Sequence, residues 1–187
     1  IRNIHMDTTS DSDGTQTGLW APDLLPHVTK AVDRATDRAI ADQVTDPSDE
    51  DYGGHHPPDS IVCQFPRGIC VVMTHAFLDP DSRHYRSEMV VESIRLTLEA
   101  VERIHLYPDG SIDYGGDMQN SANAAFAAFG IYQVLKRWQP IQHPLKDEIV
   151  ERCRRILVKI GISCYTMGVM TPNHRWVACA AMAMVNE

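Results

Sequence analysis

The chain has 187 residues, 43% hydrophobic and 22% charged, the balance of a single domain built on one core. Its formal net charge of -8 and pI near 5.5 leave no electrostatic footprint for DNA or RNA, which excludes nucleic acid as a partner and means that any anionic ligand must be held by a local cluster against the overall field. No apolar run reaches the ~18 residues of a membrane span, and no signal peptide is visible, so no membrane partner is expected.

Residues 1–20, through Asp7-Thr8-Thr9-Ser10-Asp11-Ser12-Asp13-Gly14, are polar and aperiodic and predict an extended lead-in to a helical domain over 21–187. Leu25, Val28, Val32, Ala35 and Ile40 recur at helical spacing from Asp23, a suitable N-cap, to about Val44, before Asp46-Pro47. Residues 46–60, with Asp46-Pro47-Ser48-Asp49 and Gly53-Gly54-His55-His56-Pro57-Pro58, read as a loop. The run Ile69-Cys70-Val71-Val72-Met73 fits a strand or a buried helix, and its helical neighbours favour helix.

A helix is predicted from about Ser82 to His105, with Met89, Val90, Ile94, Leu98, Val101 and Ile104 on one stripe. Tyr107-Pro108-Asp109-Gly110 ends it and opens a loop to Gln119. Ser121 to Trp138 is alanine-rich and of high helix propensity, so it can approach its neighbours closely. Lys146 to about Tyr165 places Ile149, Cys153, Ile156, Leu157, Ile160 and Cys164 on one face, and a last helix runs from near His174 to Glu187. Five or six helices in hairpin-like succession, with no strand alternation, make the class all-α. If the helices alternate up and down, those two places apart start at the same end of the molecule, and the loops before Ser121 and His174 share a face.

The five cysteines (Cys63, Cys70, Cys153, Cys164 and Cys179) are an odd number with no C-x-x-C spacing. Cys153 and Cys179 sit in apolar helical patterns, so buried free thiols are expected rather than a disulfide frame or a zinc site. His55-His56, with His75 and His84 farther on, lack the i,i+4 or carboxylate spacing of a metal site. Neither a metal nor a cofactor is expected.

The chemistry concentrates in Thr171-Pro172-Asn173-His174-Arg175-Trp176, where an amide, an imidazole and a guanidinium meet a helix start whose free N–H groups and dipole favour an anion. This stretch, preceded by Gly116-Asp117-Met118-Gln119-Asn120-Ser121-Ala122 and the helix hairpin between them, resembles the (α/α) toroid of heparinase II/III-like and alginate-lyase-like polysaccharide lyases. The resemblance covers roughly Asp109 to Glu187 and rests most on the adjacent Asn-His at a helix start.

It implies helical hairpins forming an incomplete (α/α) toroid, the N-terminal part of an enzyme that cleaves a uronic-acid polysaccharide by β-elimination. The ligand it implies is an acidic polysaccharide or oligosaccharide, and the compartment it suggests is secreted or periplasmic. Asn173 would donate to the uronate carboxylate, and His174 would neutralise that carboxylate or act as base. Arg175 would pair with a neighbouring uronate, and Gln119 and Asn120 would bind sugar hydroxyls. The family's catalytic tyrosine lies beyond the Asn-His motif, in a part absent from this chain. An open arc of this kind exposes apolar faces, inviting self-association or association with the remainder of the protein.

Competing readings stand beside this one. Asn173, Asn120 and Ser121 are acceptable helix caps, and Trp176 is the residue type more often found in a core than on a sugar platform. A toroid glycoside hydrolase would use paired carboxylates, with Asp113 and Asp117 as the closely spaced candidates. A noncatalytic carbohydrate-binding or scaffold domain would bind glycan without turnover.

Overall fold

A computed structural model of the protein describes residues 24–57, 68–113, 121–167 and 172–186. Among the described residues six helices form where apolar residues recur at helical spacing, and the extended backbone is limited to two isolated bridges, Gln43 with His55 and Leu106 with Ile112. The first helix, α1 (Leu25–Ala41), carries a proline in its first turn. The ambiguous apolar run is helical, as α2 (Ile69–Leu78), and buries Cys70, Met73, Ala76 and Phe77. A helix so apolar on all sides belongs in an interior.

The third helix, α3 (Glu88–Ala100), starts later than Ser82. Arg86 takes a left-handed backbone with φ of 55°, and its N–H donates to the Phe77 carbonyl at 3.0 Å. That conformation, rare for a residue with a Cβ, breaks the helical path before Glu88. At its other end α3 runs into a π-turn, Val101–His105. The wider turn rotates the inward stripe, so His105 is buried and Ile104 only half-buried. Met89, expected on the stripe, is 64% exposed.

The remaining helices are α4 (Ser121–Trp138), α5 (Lys146–Met167) and α6 (Pro172–Val185). None of the described helices is long and apolar enough to cross a membrane.

Contacts between side chains fix the direction of each helix. Val71 lies beside Gly130 and His75 meets Arg137, so α2 runs parallel to α4. Arg152 reaches Glu99 and Arg155 reaches Glu102, so α3 runs parallel to α5. Phe126 meets His174 near the starts of α4 and α6. The result is two layers, α1, α3 and α5 in one and α2, α4 and α6 in the other, with successive helices antiparallel across the layers. The core lies between them, around Met73, Phe77, Ile94, Leu98, Trp138, Ile149, Ile156 and Ile160.

The layers differ in chemistry. α2, α4 and α6 are alanine-rich or apolar, whereas α3 and α5 are joined by a ladder of Arg95, Glu99, Glu102, Glu148, Arg152 and Arg155. Burial alone would raise the Glu102 carboxyl, but hydrogen bonds from Arg155 and Arg152 hold it below the usual carboxylate range.

Three of the cysteines are buried free thiols, Cys70, Cys153 and Cys164. Burial pushes the Cys70 thiol up to about 12, so it is inert as a nucleophile at neutral pH. Cys179, expected to be buried, is exposed, because α6 turns Ala178 and Ala181 inward and leaves Cys179 on the far side. Cys63 lies outside the described residues.

His55 is structural. Its Nδ1 donates to the Ala39 carbonyl at 3.1 Å, and its Nε2 lies 2.9 Å from Thr97 Oγ1, whose hydroxyl donates to the Ser93 carbonyl. Gln43 closes the network, donating to Thr97 Oγ1 and accepting from Ser93 Oγ. Burial drives the His55 pKa down to about 4, against the opposing pull of the Ala39 hydrogen bond and the Asp42 charge. The unfolded chain then binds a proton that the folded chain refuses, so stability is full above the ordinary histidine value and is lost as pH falls toward 4. The full loss corresponds to about 3 kcal/mol, and His105 and His75, also depressed by burial, add to it with the same sign. Urea unfolding between pH 7 and pH 5, above most carboxylate titration, is expected to show this decline, and His55→Gln to flatten it. A wild-type profile that stays level would refute the neutral, buried assignment.

Candidate functional site

Pro172 opens α6, a position where its fixed φ fits and its missing N–H would have had no intrahelical acceptor. Asn173 is therefore the second residue of the helix, and the reading of Asn173 as an N-cap does not hold. Thr171, the residue before the helix, lies outside the described residues.

The helix distributes the four polar or aromatic side chains around its axis. Ala178 and Ala181 are the buried residues of α6, and His174, one turn before Ala178, leans the same way and is half-buried. Its ring stands edge-on to Phe126 of α4, with centroids 5.6 Å apart and planes at 88°, a favoured aromatic geometry. Asn173 and Arg175 flank it, both exposed. Trp176 is 79% exposed on the outer side, so the expectation that it packs in the core is overturned. The neighbours of α6 meet its Ala178–Ala181 side, with Val177, Met182 and Val185 packed partly against the core.

Adjacent residues on a helix diverge by about 100°, so Asn173 and His174 do not face one side of it together. Both, however, project toward the N-terminus, as every Cα–Cβ bond in a helix does. The first-turn N–H groups, which have no intrahelical partner, point the same way.

The contact between Phe126 and His174 brings the beginnings of α4 and α6 to one end of the molecule, as up-and-down alternation requires. Gln119 and Asn120 lie outside the described residues, as do Tyr114 and Asp117. Asp113 is described: its backbone N–H donates to the His105 carbonyl at 2.9 Å. Among the described residues no group of three or more His, Cys, Asp or Glu side chains could hold a metal. His56 instead pairs with Asp51 at 2.7 Å, and His84 with Asp37 at 2.9 Å.

Phe126 escaped the sequence reading, although the signal was present. Phe126 and Phe129 are large rings in the otherwise small-residue first half of α4, residues 121–130, and both remain exposed, at 47% and 39%. Comparison with known proteins finds no matching family model, no similar curated protein and no similar solved structure.

Proposed function

We propose that this chain is the N-terminal part of a polysaccharide lyase that cleaves a uronate glycosidic bond by β-elimination, with Asn173 and His174 at the carboxylate. The single observation that carries the reading is the exposed Asn173 beside a ring-braced His174 in the first turn of α6, at the end shared with α4.

In such a reaction a base takes the proton from C5, next to the carboxylate, and the oxygen on C4 leaves. The proton is weakly acidic while the carboxylate is ionised, so the transition state is enolate-like and doubly negative. Donors aimed at it without a competing negative charge are what the chemistry needs. The amide of Asn173 and the positive end of α6 meet that need, His174 neutralises the carboxylate or takes the proton, and Arg175 holds a neighbouring uronate. Gln119 and Asn120 complete the sugar contacts. The tyrosine of the family belongs to further helical hairpins.

The two-layer alternation supports the incomplete toroid. Val158, Ile162 and Tyr165, spaced along one face of α5, are 50%, 53% and 81% exposed. With Met182 and Val185 of α6 they line a groove of about 320 Å³. A further hairpin continuing the same two layers would cover this edge; in its absence, self-association through it is expected.

The test follows the ultraviolet absorbance of unsaturated product from alginate, heparan sulfate, glucuronan and ulvan, using the longest product of the gene. Turnover on one uronate is expected. A folded protein silent on all four would overturn the reading. Glycan binding without turnover would instead point to a carbohydrate-binding domain, and hydrolysis without an unsaturated end to a glycoside hydrolase.

A further inference from the structure

At the end of the molecule opposite Asn173, the C-terminal ends of α2 and α4, the start of α3 and the segment 140–144 line a cleft of about 830 Å³, within the size range of small-molecule sites. Its walls combine the apolar side chains of Leu78 and Ile141 with two guanidiniums, Arg86 and Arg137. Among the described residues neither cation has a carboxylate partner: Arg137 meets the Nδ1 of His75, at a long 3.5 Å, and Arg86 lies over the rings of Phe77 and Tyr85, at 5.3 Å and 5.5 Å from their centroids.

Two such arginines, Arg137 half-buried and Arg86 exposed at the cleft wall, are unexpected in a chain with 25 acidic residues and 17 lysines and arginines, where the guanidiniums of the α3–α5 ladder are saturated with carboxylates. His75, whose pKa burial and the nearby Arg137 lower, adds no negative charge, and the nearby Asp79 is taken up by the Thr29 hydroxyl at 2.8 Å and the Asp81 N–H at 3.0 Å. Glu88, the acid on the rim, is engaged by His143 Nε2 at 3.1 Å.

The placement of Arg86 is specified. Its backbone is left-handed and is held there by the bond from its N–H to the Phe77 carbonyl. A non-glycine residue in this region costs on the order of 1–3 kcal/mol and persists only when its surroundings impose it. The same turn puts the guanidinium over Phe77, at the cleft wall.

We propose that this cleft is a second ligand site, for a small organic oxyanion with an apolar body. The anionic head bridges Arg86 and Arg137, and the body lies on Leu78 and Ile141. Guanidinium forks match planar carboxylates and phosphate esters alike. Glu88 at the rim repels negative charge spread beyond the two arginines, which selects a small molecule with one compact anionic head over a polyanionic polysaccharide. The site is independent of the uronate reading, lying at the other end of the helices.

The test is a titration of the full chain with benzoate and with phenyl phosphate, followed by amide chemical shifts, with benzyl alcohol as the uncharged control and inorganic phosphate as the headless one. Saturable shifts confined to residues around 77–88 and 137–143 are expected with one or both of the aromatic anions, and none with benzyl alcohol or inorganic phosphate. Arg137→Gln is expected to weaken binding about tenfold or more, and Arg86→Gln likewise, the loss of a charge-assisted bond. Arg86→Lys, which keeps the charge and loses the fork, should fall between them and the wild type. Equal response to benzyl alcohol, absence of saturation with both anions, or unchanged affinity in a folded Arg137→Gln variant would each overturn the proposal.

Discussion

Gly110→Ala is expected to destabilise the protein by about 3 kcal/mol or more, the scale reserved for mutations that force backbone apart. Two costs combine. Gly110 has φ of 82°, so any side chain is strained there. The added Cβ would also stand 1.8 Å from the Lys159 carbonyl oxygen of α5, and a carbonyl inside a helix cannot move aside without opening its own ladder. The Tyr107–Ser111 turn, closed by the Gly110 N–H to the Tyr107 carbonyl, must therefore lift off α5. Gly68→Ala separates the two costs, because Gly68 has φ of 67° with nothing within 4 Å of its missing Cβ, leaving strain alone, about 1 kcal/mol. Denaturant midpoints measure both. Equal losses in the two variants would mean that the turn is not seated on α5.

Asn173→Ala is expected to lower turnover of the uronate substrate by about 10²–10³, the usual loss for one donor to a developing oxyanion. The loss should fall in kcat more than in KM, since the donor acts on charge that grows toward the transition state. Stability should change by less than about 0.5 kcal/mol, because Asn173 is exposed and inside the first turn rather than capping it. Thermal melting and initial rates on the same preparations decide the matter. A melt lowered by ~1 kcal/mol with undiminished turnover would assign Asn173 to the helix alone.

Much of this architecture could be read from periodicity. Ser121–Trp138 matches α4 at both ends, and the apolar face of Lys146–Tyr165 is the buried face of α5. Three features could not be read that way. The start of α3 depends on the left-handed Arg86, a conformation imposed by the Phe77 carbonyl across the chain. The π-turn is a local rewinding that brings His105 inward instead of Ile104, and a fixed helical repeat misses such a change of pitch. The exposure of Trp176 and Cys179 depends on which side of α6 has a neighbour, and composition favours burial for both.

The candidate site was legible only in part. The motif located Asn173, His174 and Arg175 on one helix start, but the ring beneath His174 comes from α4, some fifty residues earlier in the chain. The cleft bearing Arg86 and Arg137 left no sequence signature, because its cations come from unrelated segments joined by the parallel packing of α2 and α4.

The layered arrangement also bears on how the chain condenses. The main helix contacts of α1 to α6 join elements one or two places apart in the sequence. Loop-closure cost is therefore small at each step, and such local topologies fold fast. Each hairpin can dock on the one before it as synthesis proceeds. Because α6 buries only Ala178 and Ala181 fully, as α1 buries only Thr36 and Ala39, the helix carrying Asn173 and His174 is one of the two from which local opening begins.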